Sequence, residues 1–134
     1  MSDESRVLAG ILLLALVTVE TGGLYLAKLV RGQADVTPFQ LAFARAGHAH
    51  AGVLLVLALV CQLLADSAEL SGVWNWLGRS GVAVAALLMP GGFFFSSMGR
   101  GRTQPNALIW LVFAGAGVLA LGLASLGVGL LTAA

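Results

Sequence analysis

From Pro38 to Ala65 the chain carries one formal charge, Arg45, within a largely apolar run that also holds His48 and His50. Read as a helix rising about 1.5 Å per residue, this run reaches about 40 Å, enough to cross a hydrocarbon core of about 30 Å. Its start is marked in the sequence. Thr37 can cap the helix, Pro38 fits the first position, where no N–H is needed, and Gln40 can close a capping box.

Three further runs share this character, and composition excludes a soluble alternative. Of 134 residues, 59% are hydrophobic and only 10% charged, against about a quarter charged in a typical soluble domain. The expected fold is all-α: a four-helix transmembrane bundle with short loops. It forms a single integral membrane domain over 1–134, with spans at 7–30, 38–65, 80–99 and 106–131. The first run is too long for the apolar part of a signal peptide, so it is expected to be retained as a span. Residues 31–38 make a tight polar connection. Residues 66–81 are expected to be the longest loop, with Trp74 and Trp76 at an aromatic belt and room for a short interfacial helix. Pro90, Gly91 and Gly92 interrupt the third run, and Arg100, Arg102, Thr103 and Pro105 end that hairpin and open the fourth span.

A formal charge of +1, with its Lys and Arg spread among apolar runs, leaves no nucleic-acid surface. The single cysteine, Cys61, excludes an intrachain disulfide and a paired-thiolate centre. Lys28, Arg31, Arg100 and Arg102 flank two loops on one side, against Arg6 and Arg79 on the other. Loops 31–37 and 100–105 are therefore expected in the cytoplasm, with the plasma membrane as the compartment.

Counting residues inward from those cytoplasmic ends places Glu20, His48, His50 and the Pro90–Gly92 segment at a common depth. Ala114 to Gly117 fall near the same level in the fourth run. A carboxylate in lipid is expensive, so Glu20 is expected to face the bundle or a subunit interface and to bind a proton or a ligand there. The structural alternative pairs it with Arg45 or a histidine. His48 and His50, two residues apart, lie about 200° apart on a regular helix, so they are not expected to hold one metal together. One of them, with His48 favoured, is expected to meet the Glu20 layer and the other a neighbouring helix. Arg45 either shares the His48 face or extends to the cytoplasmic headgroups, the latter being favoured. Small residues around the histidines and along the last run read first as helix-packing surfaces.

In the first run, Glu20, Gly23 and Lys28 resemble the opening helix of the small multidrug resistance transporters. That resemblance implies a four-helix antiporter whose embedded Glu binds protons and cationic compounds alternately in a dimer. The segment Gly47 to His50 loosely resembles the histidine-bearing helices of haem membrane enzymes, which implies an axial-ligand role for one histidine.

The expected function is a small multi-pass transporter or channel subunit with a mid-membrane Glu/His layer that serves proton coupling. Its candidate residues are Glu20, Arg45, His48 and His50. No catalytic residue, metal site or cofactor is assigned, and a non-enzymatic role is favoured. The expected partners are the lipid bilayer and either further copies of the chain or a larger membrane complex. The alternatives are a non-catalytic accessory subunit, and a haem-, quinone- or metal-dependent oxidoreductase that uses His48 or His50 as ligand.

Overall fold

The computed structural model describes all residues from Met1 to Ala134. The chain is all-helical: α1 spans Asp3–Val30, α2 Pro38–Ala65, α3 Gly72–Ser97 and α4 Trp110–Thr132, the last preceded by a single 3-10 turn, Ala107–Ile109. All four are long and apolar enough to cross a membrane, which makes this an integral membrane protein.

Each helix begins and ends for local reasons. At α1, Ser2 Oγ accepts from the Ser5 N–H at 3.2 Å, and Asp3 and Glu4 occupy the first turn, where negative charge suits the helix dipole. Its C-terminus closes as a Schellman motif: Gly32, at φ 68°, donates to Leu29 O, and Gln33 donates to Lys28 O. The expected capping box of α2 is present. Gln40 N donates to Thr37 Oγ1 at 3.1 Å, and Thr37 N donates to Gln40 Oε1 at 3.2 Å. The same two residues fasten loop three: Gln40 Nε2 donates to Ser97 O and Gly99 O, and Thr37 Oγ1 to Arg102 O.

Two local expectations change. Mixed polarity keeps residues 72–79 out of a hydrocarbon core but not out of a helix, so α3 begins at Gly72 and extends outward beyond the expected span. Trp74 and Trp76 lie exposed on this extension, while Gly78 is buried. Pro90 does not interrupt α3, which stays helical to Ser97 with Pro90 and Gly92 buried. The missing N–H removes one bond to the Ala86 carbonyl, and packing on both sides holds the helix across it. Asn106 caps the fourth helical segment: its Oδ1 accepts from Leu108 N at 2.8 Å, and its Nδ2 donates to Phe95 O at 2.9 Å.

The helices pack in chain order, α1 on α2, α2 on α3 and α3 on α4, with a small α2–α4 contact. The core joins Leu12 of α1, Leu54, Leu55, Ala58 and Cys61 of α2, Val82, Ala86 and Met89 of α3, and Leu126 of α4. The α3–α4 contact is backbone-close. A Cβ at Gly81 would lie 2.9 Å from Gly122 Cα, one at Gly92 2.7 Å from Val112 N, and one at Gly115 2.5 Å from Met89 Cγ. Only glycine fits there, so the small residues of α4 act at these points as a packing surface.

Candidate functional site at mid-depth

The expected common depth of α1, α2 and α3 is visible in their contacts. The His48 ring lies on the bare backbone of α1, where a Cβ at Gly22 would be 3.6 Å from Nδ1 and one at Gly23 would be 3.4 Å from Cε1. The ring of His50 points the other way. Its centroid is 4.9 Å from that of Phe93 in α3, and its Nδ1 lies 2.8 Å from Ala46 O. A carbonyl oxygen only accepts, so Nδ1 carries the hydrogen and Nε2 is left free. Gly47, between them, is covered by the ring of Phe94. The two histidines are therefore unequal, as their spacing requires: one serves the α1 contact, the other the α3 contact.

Glu20 does not face the interior of the chain. It is exposed on α1, and none of the chain's ion pairs includes it. Its direction follows from its neighbours. Glu4 and Val7 line a cavity with Asn75, Trp76 and Arg79 of α3, and Tyr25 lines another with Phe94 and Ser97. At about 100° per residue, Glu20 stands roughly 140–160° around α1 from all three, on the side away from α3. Thr18 and Thr21 do not support it, since each bonds a carbonyl of its own helix, Ala15 O and Thr18 O.

Arg45 is placed in the same way. It is exposed and makes no ion pair. Gly47 and His50 face α3, and Arg45 lies roughly 140–160° around α2 from both. Glu20 and Arg45 thus share the outer face of the α1–α2 pair. Between the two helices on this face runs a groove of about 420 Å³, lined by Val19, His48, Ala49, Gly52, Val53 and Val56 and open sideways. His48, half-buried and without a hydrogen-bond partner, is its polar wall. Because His48 rests on Gly22 and Gly23, Glu20 is within about one turn of its depth, and Arg45 is about 8 Å from Glu20 along the axis. All four expected residues lie within this stretch, and three of them, Glu20, Arg45 and His48, attend one face. No three His, Cys, Asp or Glu side chains converge on a point that could hold a metal.

A second polar assembly, which the sequence reading did not single out, closes the opposite end of the helices. Asp66, just past α2, accepts from Ser2 N at 2.6 Å, from Ser5 Oγ at 3.1 Å and from Arg79 Nη1 at 2.9 Å. Arg79 Nη1 also donates to Ser2 Oγ and Ser5 Oγ, and its Nε is 3.6 Å from Glu4 Oε2. The Ser2 N–H and, after it, the Arg79 guanidinium hold the Asp66 carboxyl well below the usual carboxylate range. Gln62, fully buried beneath, donates to Arg79 O at 2.6 Å. A signal was present: Ser2, Ser5 and Arg79 punctuate the ends of runs that an antiparallel hairpin brings level.

No protein family, curated protein or solved structure matches this chain. The resemblance of Glu20 to Lys28 to small multidrug resistance transporters therefore stays confined to those residues.

Proposed function

We propose that the protein is one subunit of a proton-coupled membrane transporter or channel, with Glu20 as the group that takes up and releases the proton beside His48. The observation that carries this reading is the position of Glu20: mid-span, exposed on the outer face, and unpaired within its own chain. A charged side chain at the centre of a bilayer costs about 2.5–3.5 kcal/mol even on the mildest scale. A proton removes that cost, and so does a cation brought by another chain, so the charge of Glu20 depends on what lies next to it. Proton coupling requires that dependence. Of the titratable and charged groups on α2, His50 is level with Glu20 but faces α3, whereas His48, within about one turn of its depth, and Arg45 lie on the same face as Glu20. Orientation belongs to this reading too, with loops 31–37 and 100–105 on the cytoplasmic side of the plasma membrane.

A second reading has its own support. The groove beside His48 opens sideways, toward whatever surrounds the chain. The same face would serve a non-catalytic subunit that docks into a larger complex.

Proteoliposomes with an entrapped pH dye separate the two. Wild-type protein is expected to pass protons down an imposed gradient, and Glu20→Gln, which keeps size and hydrogen bonding, to reduce that flux to the level of protein-free vesicles. Wild-type flux no greater than that of empty vesicles returns the chain to the accessory role. A visible absorption band on the purified protein, lost with His48→Gln, would move it to the haem-bearing alternative.

A further inference from the structure

We infer that the outer face of α1 and α2 is a self-complementary interface, on which two copies of this chain pair so that Glu20 of each meets Arg45 of the other. The face carries one unpaired acid and one unpaired base, and neither has a partner in its own chain. In a two-fold contact, whatever residue i touches on residue j is repeated as j on i, so one acid and one base per copy make two identical pairs. A lipid tail in the groove would leave both charges bare. A second copy cancels them.

The geometry of such a pairing follows from an axis along the membrane normal, the choice that keeps both copies in the same orientation. Rotation by 180° sets α1 of one copy against α2 of the other, antiparallel and at unchanged depth, and the four helices close a bundle around the axis. Within one chain, His48 lies level with Gly22 and Gly23, so across the axis Glu20 comes level with the segment between Ala49 and Val53. Arg45 lies about 8 Å toward the nearer surface, a separation that its long side chain and that of Glu20 cover between them.

The pattern on the two helices suits this contact. On α1, Leu13, Glu20 and Ala27 are exposed at seven-residue spacing, and on α2 Ala42, Ala49 and Val56 are exposed at the same spacing. Gly52 adds a second small residue beside Ala49, so backbones can approach closely at the depth where the charges meet. One acid–base pair in an otherwise apolar seam also fixes register, since any slip would leave Glu20 against hydrocarbon. The open groove then becomes an enclosed one, with His48 on its wall and Glu20 at its edge. This interface goes beyond the proton-coupled reading and does not depend on it.

Cross-linking between two differently tagged chains tests the geometry with the charged residues intact. One chain carries Leu13→Cys, the other Val56→Cys, both in a Cys61→Ala background and reconstituted together in lipid vesicles with an oxidant. The expected product is a band bearing both tags, absent when both chains carry Leu121→Cys on α4 instead. Dilution of fluorophore-labelled wild-type protein in lipid then gives the dimer constant. Glu20→Gln and Arg45→Gln are each expected to weaken it about tenfold, and the exchange of the two charges, Glu20→Arg with Arg45→Glu, to restore it. A chain that stays monomeric on concentration, a cross-link that forms through α4, or a dimer indifferent to both single changes overturns the proposal. The last result would also place Arg45 among the headgroups. A dimer that behaves as expected but passes no protons leaves the interface standing and removes only the transport reading.

Discussion

α3 and the outer face of α1 treat their polar and apolar groups in opposite ways. Half of the most apolar window of α3 is buried within the chain, against 6% of that of α1. Arg79 of α3, only 11% exposed, is bonded to Ser2, Ser5 and Asp66 and lies against Glu4. Glu20 of α1 has no partner in its own chain. The Asp66 end of the helices lies near water, where an unpaired charge costs little, yet there the chain pairs Arg79 with Asp66 and Glu4. In the hydrocarbon, where the cost is severalfold higher, it leaves an acid, a base and an imidazole unsatisfied on one face. The contrast separates residues that hold a single chain together from residues that wait for something outside it.

The largest effect is expected from the closed side. Valine at Gly81 would drive a Cβ to within 2.9 Å of the α4 backbone at Gly122, with no flexible side chain to yield. Overpacking of this kind costs about 1–3 kcal/mol. Gly81→Val should therefore lower the thermal midpoint in detergent and loosen α4, while Gly117→Val, at a glycine with open space around it, should leave the midpoint near that of the wild type. Equal losses at the two positions would mean that α3 and α4 do not meet as closely as this.

A smaller loss is expected at the Asp66 clasp, and it carries a pH signature. The carboxyl of Asp66 is depressed in the folded protein relative to its ordinary value of 3.8. A group with a depressed folded value contributes fully above its unfolded value, and that contribution is lost as pH falls from there toward the folded value. Asp66→Asn should thus melt below the wild type by a constant margin between pH 5 and 8, and the margin should shrink below about pH 3.9. A margin independent of pH down to 3 would assign the difference to lost packing and not to the charge.

Much of this division was legible before any coordinates. The start of α2 could be read from Thr37, Pro38 and Gln40, because capping is local chemistry, and its end at Ala65 followed from the arrival of Asp66. The shared depth of Glu20 and His48 followed from rise per residue alone. What could not be read was azimuth: whether Glu20 turns inward depends on where α3 lies relative to α1, a long-range fact with no signature in the first run. Arg79 was hidden for a similar reason. Its partners come from residues 2, 4, 5 and 66, and only the closed hairpins bring them together. Pro90 misled in a third way, since a proline breaks a helix in water more readily than one packed on both sides in a bundle.

The smallest expected effect draws the boundary between the two sides through a single helix. His50 belongs to the closed side: its Nδ1–H donates to Ala46 O, and its ring packs on Phe93. His50→Gln should cost about 1 kcal/mol of stability, the scale of one hydrogen bond together with one ring contact. His48 belongs to the open side. It rests on two glycines and lines the groove, with no bond to its own chain to lose. In a detergent that keeps the chain monomeric, His48→Gln should therefore melt with the wild type. Each variant's unfolding in that detergent, followed by circular dichroism, decides the point. A loss at His48 as large as that at His50 would mean that its imidazole is already engaged within one copy, and the open face would shrink to Glu20 and Arg45.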